Sequence, residues 1–181
     1  MGWLAKLIGA TPKEELDGIR IDIHQPFWEL DGKTDFPHLL RALKDFLPDG
    51  SIMYFEGGSP RKELLAFLNA HAIPEETHIA VAILWPKPVY YHVQATEQNL
   101  TRLAELSEHC AEPELAVHFH VYHQGKVLLE WHDAFSQPML LDGDILEDKV
   151  MSFASSLSMK TTKWKDASNQ SAQKDRQGSL C

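Results

Sequence analysis

The sequence predicts an α+β fold. A single domain over residues 1–158 is expected to carry a mixed, mostly antiparallel sheet of about six strands, with four or five helices and one βαβ crossover, followed by a disordered, weakly basic tail at 159–181. Three observations predict it. Short alternating runs and amphipathic stretches succeed one another with turn residues between them. Two strand-like runs flank Gln124-Gly125, which reads as a hairpin turn. From Lys160 onward apolar residues nearly vanish apart from Trp164 and Leu180, so this segment cannot offset its ordering entropy by burial.

The elements follow in order. Residues 1–10 are a candidate short amphipathic helix through Trp3, Leu4, Leu7 and Ile8, docked on its own domain; Lys6 breaks the apolar run and removes both the signal-peptide and the myristoylation readings. Ile19, Ile21 and Ile23 alternate with Arg20, Asp22 and His24, which predicts a strand with one wet face. Phe36, Leu39, Leu40, Leu43, Phe46 and Leu47 recur at helical spacing, with Pro37 in the first turn and Pro48-Asp49-Gly50 as the stop. Residues 51–55 read as a strand. Ser59 and Pro60 read as the start of a helix that continues through Leu64 and Leu68 to about His71.

Residues 77–84 are apolar on both faces, so they predict a central strand and, with the helix before them, a parallel crossover. Trp85-Pro86-Lys87-Pro88 forces a turn. Val89, Tyr91 and Val93 then alternate with Tyr90, His92 and Gln94. Thr96 caps a helix reaching about Cys110, residues 115–122 and 127–133 form the hairpin, and Asp144 with Glu147 makes a capping box for a helix burying Leu146, Val150, Phe153, Ala154 and Leu157.

Charge narrows the function classes. The net charge is −9, from 17 basic and 26 acidic residues. Five bases (Lys160, Lys163, Lys165, Lys174, Arg176) and two acids (Asp166, Asp175) fall in 158–181, leaving 12 bases and 24 acids elsewhere. An acidic body repels phosphate backbones, so no nucleic-acid partner is expected; a protein partner with a basic surface fits better. The longest uncharged apolar run, residues 79–86, is too short to cross a bilayer, so no stable membrane insertion is expected. Two cysteines, Cys110 and Cys181, have no disulfide or zinc spacing and point to a reducing, cytoplasmic compartment.

The ten histidines are the chemistry-bearing feature, four of them lying between positions 118 and 132. His118-Phe119-His120 places two imidazoles on one strand face, and His92 on another strand is the candidate third ligand for a divalent ion such as zinc. With Gln124-Gly125 at the centre of a regular hairpin, His118 faces Trp131, His120 faces Leu129 and Tyr122 faces Val127. Glu130 and His132 then fall on the opposite face, among Val117, Phe119 and Val121, where they form a candidate acid–base pair.

Gly57, Gly58, Ser59 and Arg61, at a strand-to-helix junction, are candidate anion-binding residues. If all ten histidines took up protons the charge would move from −9 to +1. That becomes a switch only where a buried histidine biases an element with two states.

No complete catalytic constellation and no cofactor fingerprint is present. The expected function is a small acidic cytoplasmic protein-binding module without catalysis and without a cofactor. The alternative is a hydrolase-like enzyme, metal-dependent through the strand histidines or acid–base through Glu130 and His132.

Overall fold

The computed structural model describes residues 18–75, 77–80, 88–111, 114–134 and 136–165. The expected N-terminal helix, the Trp85-Pro86-Lys87 turn, the second half of the expected 77–84 strand and the chain after Lys165 lie outside the described residues.

Among the described residues seven strands and four helices follow one another as β1 (Phe27–Asp31), α1 (Phe36–Phe46), β2 (Ile52–Glu56), α2 (Lys62–His71), β3 (Tyr90–Gln94), α3 (Glu97–Ser107), β4 (His118–His123), β5 (Lys126–Trp131), β6 (Met139–Asp142), α4 (Glu147–Ser156) and β7 (Lys160–Trp164). The strands form one sheet in the order β3-β2-β4-β5-β6-β1-β7, and every pairing between them is antiparallel. The fold is thus a single α+β domain, with one more strand among the described residues than the six or so that the sequence predicts.

The helices start and stop for identifiable reasons. Asp35 caps α1, its carboxylate accepting from the His38 N–H at 2.8 Å, and Thr96 caps α3, accepting from the Asn99 N–H at 3.2 Å. In α1 the periodic Leu39, Leu40 and Leu43 are fully buried, each stabilising the fold by about 1.5–3 kcal/mol. Phe46 of α1 stacks on Phe153 of α4 with ring centroids 4.1 Å apart. With Leu64, Leu68, Leu100, Leu103 and Val150 these residues form the main core against Trp28, Leu30, Met53, Phe55, Phe119, Leu129 and Trp131 of the sheet. The four helices therefore cover one face.

The other face carries a smaller core of Phe27, Ile52, Tyr54, Tyr122 and Val127, closed by Ile21 and Ile79. Residues 18–22 lie across it as a strap. Ile19 N–H donates to the His78 carbonyl at 2.8 Å, and Ala80 N–H donates to the Ile19 carbonyl at 3.2 Å.

Several expectations are corrected. Residues 18–24 are not a strand: Ile19 makes an isolated parallel bridge with Ile79, and the chain turns after Asp22, whose carbonyl accepts from Gln25 N–H at 3.0 Å. The strand is Phe27–Asp31 instead. Its alternation is hidden because Phe27, Trp28 and Leu30 are all buried, on two faces. Among the described residues no parallel crossover strand pairs with β2, whose neighbours are β3 and β4, both antiparallel. Lys160–Trp164, assigned to the tail on polarity, is an edge strand held by Trp164 stacking on Phe27 and by the Lys163 ammonium 4.5 Å from the Trp28 ring.

Ser59 does not cap α2, whose cap position is Arg61 with no side-chain bond. Nor does Asp144 cap α4, because its carboxylate holds the Lys126 ammonium at 2.6 Å, and Leu146 is exposed rather than buried.

Candidate functional site

The hairpin of β4 and β5 builds the site. Gln124 and Gly125 both take positive φ, 49° and 76°, as a two-residue primed turn requires. Near the turn the expected register holds, with Tyr122 opposite Val127. A bulge between Val121 and Tyr122 then shifts it: Val121 faces Leu129, His120 faces Glu130 and Phe119 faces Trp131, so Leu128 is the extra residue on β5. A one-residue shift moves every later side chain to the other face. Glu130 and His132 therefore do not oppose His118 and His120 across the sheet. All four share the second face.

Neighbouring strands add to the group. Across β2 and β4, Glu56 faces His118 and Tyr54 faces His120; across β2 and β3, Tyr54 faces His92. The Tyr54 hydroxyl donates to Glu56 Oε2 at 2.9 Å, and burial together with that carboxylate pushes its phenol well above the ordinary range. His92 meets the Tyr122 hydroxyl at 2.9 Å through Nδ1. The Tyr54 ring stands between His92 and His120, with centroids 5.1 and 5.5 Å away, so His92 does not join the other histidines.

The closest contacts form a chain. His132 Nε2 lies 2.6 Å from Glu130 Oε1, and Glu130 Oε2 accepts the Ile21 N–H of the strap at 2.8 Å. His132 Nδ1 lies 3.4 Å from His118 Nδ1, which accepts the Asp133 N–H at 2.9 Å. A backbone N–H only donates, so His118 Nδ1 is an acceptor and its own proton sits on Nε2. That N–H occupies the single ring lone pair of His118 Nδ1, so the 3.4 Å approach of His132 Nδ1 is a ring-to-ring contact, and His132 donates to Glu130 through Nε2.

The electrostatics agree. The bond to Glu130 outweighs burial and raises the His132 pKa above that of an ordinary histidine. Burial alone would raise the Glu130 carboxyl, but the bonds from His132 and the Ile21 N–H hold it below the usual range. Burial lowers His118. His120 is wholly buried, edge-on to the His132 ring at 5.1 Å, and neither of its ring nitrogens has a hydrogen-bond partner among the described residues. Burial drives its pKa down to about 3, so it is neutral.

The sequence-predicted sites divide accordingly. Glu130 and His132 do meet, and His118 and His120 join them. Among the described residues no group of three or more His, Cys, Asp or Glu side chains is arranged to hold a metal ion. At the Gly57–Arg61 junction the Gly57 N–H donates to the Val89 carbonyl at 3.2 Å and the Arg61 guanidinium pairs with Glu114 at 2.8 Å.

Tyr54 and Glu56 escaped the sequence reading as members of this group. The alternation that puts Tyr54 and Glu56 on one face of β2 was the signal that could have found them. Compared with protein-family models, with curated proteins and with solved structures, the chain matches none, so any functional reading rests on this geometry.

Proposed function

We propose that this protein is an acidic cytoplasmic protein-binding module that acts without catalysis and meets a partner through a basic surface. The observation that supports this reading is the engagement of the buried Glu130–His132 pair by other protein groups. Both Glu130 oxygens and both His132 nitrogens already contact protein groups, namely His132, Ile21 N–H, Glu130 and His118. A general base must place a free atom within hydrogen-bond reach of a substrate proton, and here the His132 nitrogen nearest the carboxylate is already engaged by it. The net charge of −9 gives the chain a long-range attraction for positive surfaces. Among the described residues no helix is long and apolar enough to cross a membrane.

A second reading has one specific observation behind it. The same pair sits at 2.6 Å with the His132 side chain 40% exposed, an arrangement that acid–base enzymes also use. One experiment separates the two. The full chain is used to capture partners from extract of its native cell, and any complex is re-isolated by size exclusion as salt rises from roughly 50 mM to roughly 500 mM, where surface attraction is screened. The binding reading expects a stoichiometric complex that weakens with salt. Turnover on a panel of ester, phosphate and glycoside substrates that His132→Gln abolishes would replace it with the enzyme reading.

A further inference from the structure

The strap at 18–22 is joined to the sheet in an unusual way. Its backbone bonds at Ile19 run to His78 and Ala80, which belong to another connecting segment. Among the described hydrogen bonds, the one that ties it to the sheet is Ile21 N–H to Glu130 Oε2 at 2.8 Å, so a side chain rather than a strand ladder fastens it. Ile21 is 6% exposed and packs with Phe27, Tyr54, Tyr122 and Val127 beneath. The acceptor is a carboxylate that is itself 5% exposed and has His132 as its ion-pair partner.

We propose that the Glu130–His132 ion pair is a proton-operated latch that holds the 18–22 strap over the second face of the sheet, and that loss of the His132 proton releases the strap. The inference is independent of the binding reading.

The reason is geometric. Glu130 Oε1 lies 2.6 Å from His132 Nε2 and Oε2 accepts the strap amide, so among the described residues His132 is the one cationic group bonded to this buried carboxylate. The Asp133 N–H occupies the lone pair of His118 Nδ1, so His118 supplies no replacement charge. A neutral His132 can still donate through Nε2, but the buried Glu130 then loses the cation that balances it. A buried carboxylate without a counter-charge is driven toward solvent or toward another cation, and the strap amide it holds goes with it.

The groups facing His132 set the direction. Glu130 on β5 and Glu56 on β2 favour its proton, while His118 and His120 on β4 and Arg20 on the strap face the same cluster; Arg20 opposes the charge, and burial opposes it too. Asp133 follows His132 in the chain and engages His118. The balance raises the His132 pKa from 6.5, so the latch is fully closed below 6.5 and opens as pH rises through the higher folded value.

The test uses the isotope-labelled full chain. The His132 ring is titrated by NMR while amide exchange is followed at Ile21 and, as internal controls, at Val121 and Leu129 of the hairpin. The latch expects a His132 midpoint above 6.5 and a loss of Ile21 protection of about tenfold or more through that midpoint, after correction for base-catalysed exchange, with the hairpin amides unaffected. His132→Arg keeps a cation at every pH and should remove the step. The proposal is overturned if Ile21 protection stays constant across the midpoint, if it falls only together with Val121 and Leu129, or if the step survives in His132→Arg. Should the arginine variant fail to fold, the wild-type titration alone decides.

Discussion

At Gly58 the space for a side chain is already occupied: a Cβ there would lie 2.2 Å from the Leu115 carbonyl oxygen. Backbone cannot retreat as a flexible side chain does, so Gly58→Ala should cost about 2–3 kcal/mol, read as a lowered denaturation midpoint with an unchanged slope. A cost under a few tenths would mean that this junction is pliable. The same glycine looked from sequence like part of an anion cradle. Composition shows that a glycine permits close approach of something to the backbone, but not whether the approaching atom belongs to a ligand or to residue 115. His120 illustrates the same limit. Its place on a strand was legible, and its isolation among rings was not, because that depends on Tyr54 and His132 arriving from other strands.

The element that decided most is the bulge in the β4–β5 hairpin. Turn position, strand extents and strand faces near Gln124-Gly125 could all be read from the chain, yet a single extra residue inverted the face of Glu130 and His132. A hint was available, since a regular ladder would have put Glu130 against Phe119 in the main core, a conflict between charge and apolar surroundings that the bulge resolves. This leads to a deletion experiment. Removing Leu128 should yield a regular ladder in which Val127 still opposes Tyr122 and Glu130 still opposes His120, so every downstream face is kept. The variant should fold, stay within about 1–2 kcal/mol of wild type and retain the raised His132 titration. Loss of the His132 shift in a folded variant would show that the bulge shapes the cluster beyond setting its register. Helices were more legible than strands for a related reason. Their period is written into the residues of a single segment, whereas β1, β6 and β7 each take their meaning from partners far along the chain.

For the whole molecule, the buried neutral His120 makes stability depend on acid. The unfolded chain takes up this proton near 6.5 and the folded chain only near 3, so between those values the unfolded state binds more protons and stability falls as pH is lowered. The loss is about 1.4 kcal/mol for each pH unit below 6.5. His118 is shifted the same way, and His132 the opposite way. Thermal melts from pH 7 to pH 4 should therefore show a falling Tm that His120→Leu flattens, while an unchanged slope in that variant would sink the assignment. The strand order also bears on how the molecule comes into being. Among the described residues β1 pairs with β6 and β7, so Phe27 meets Asp142 and then Trp164. On a ribosome, β2 through β5 can assemble with α1 to α3 while Trp28 and Leu30 still lack their covering strands. Until β6 and β7 have emerged the nascent chain thus carries an apolar, unpaired ribbon, and their arrival is the step that frees it from a chaperone.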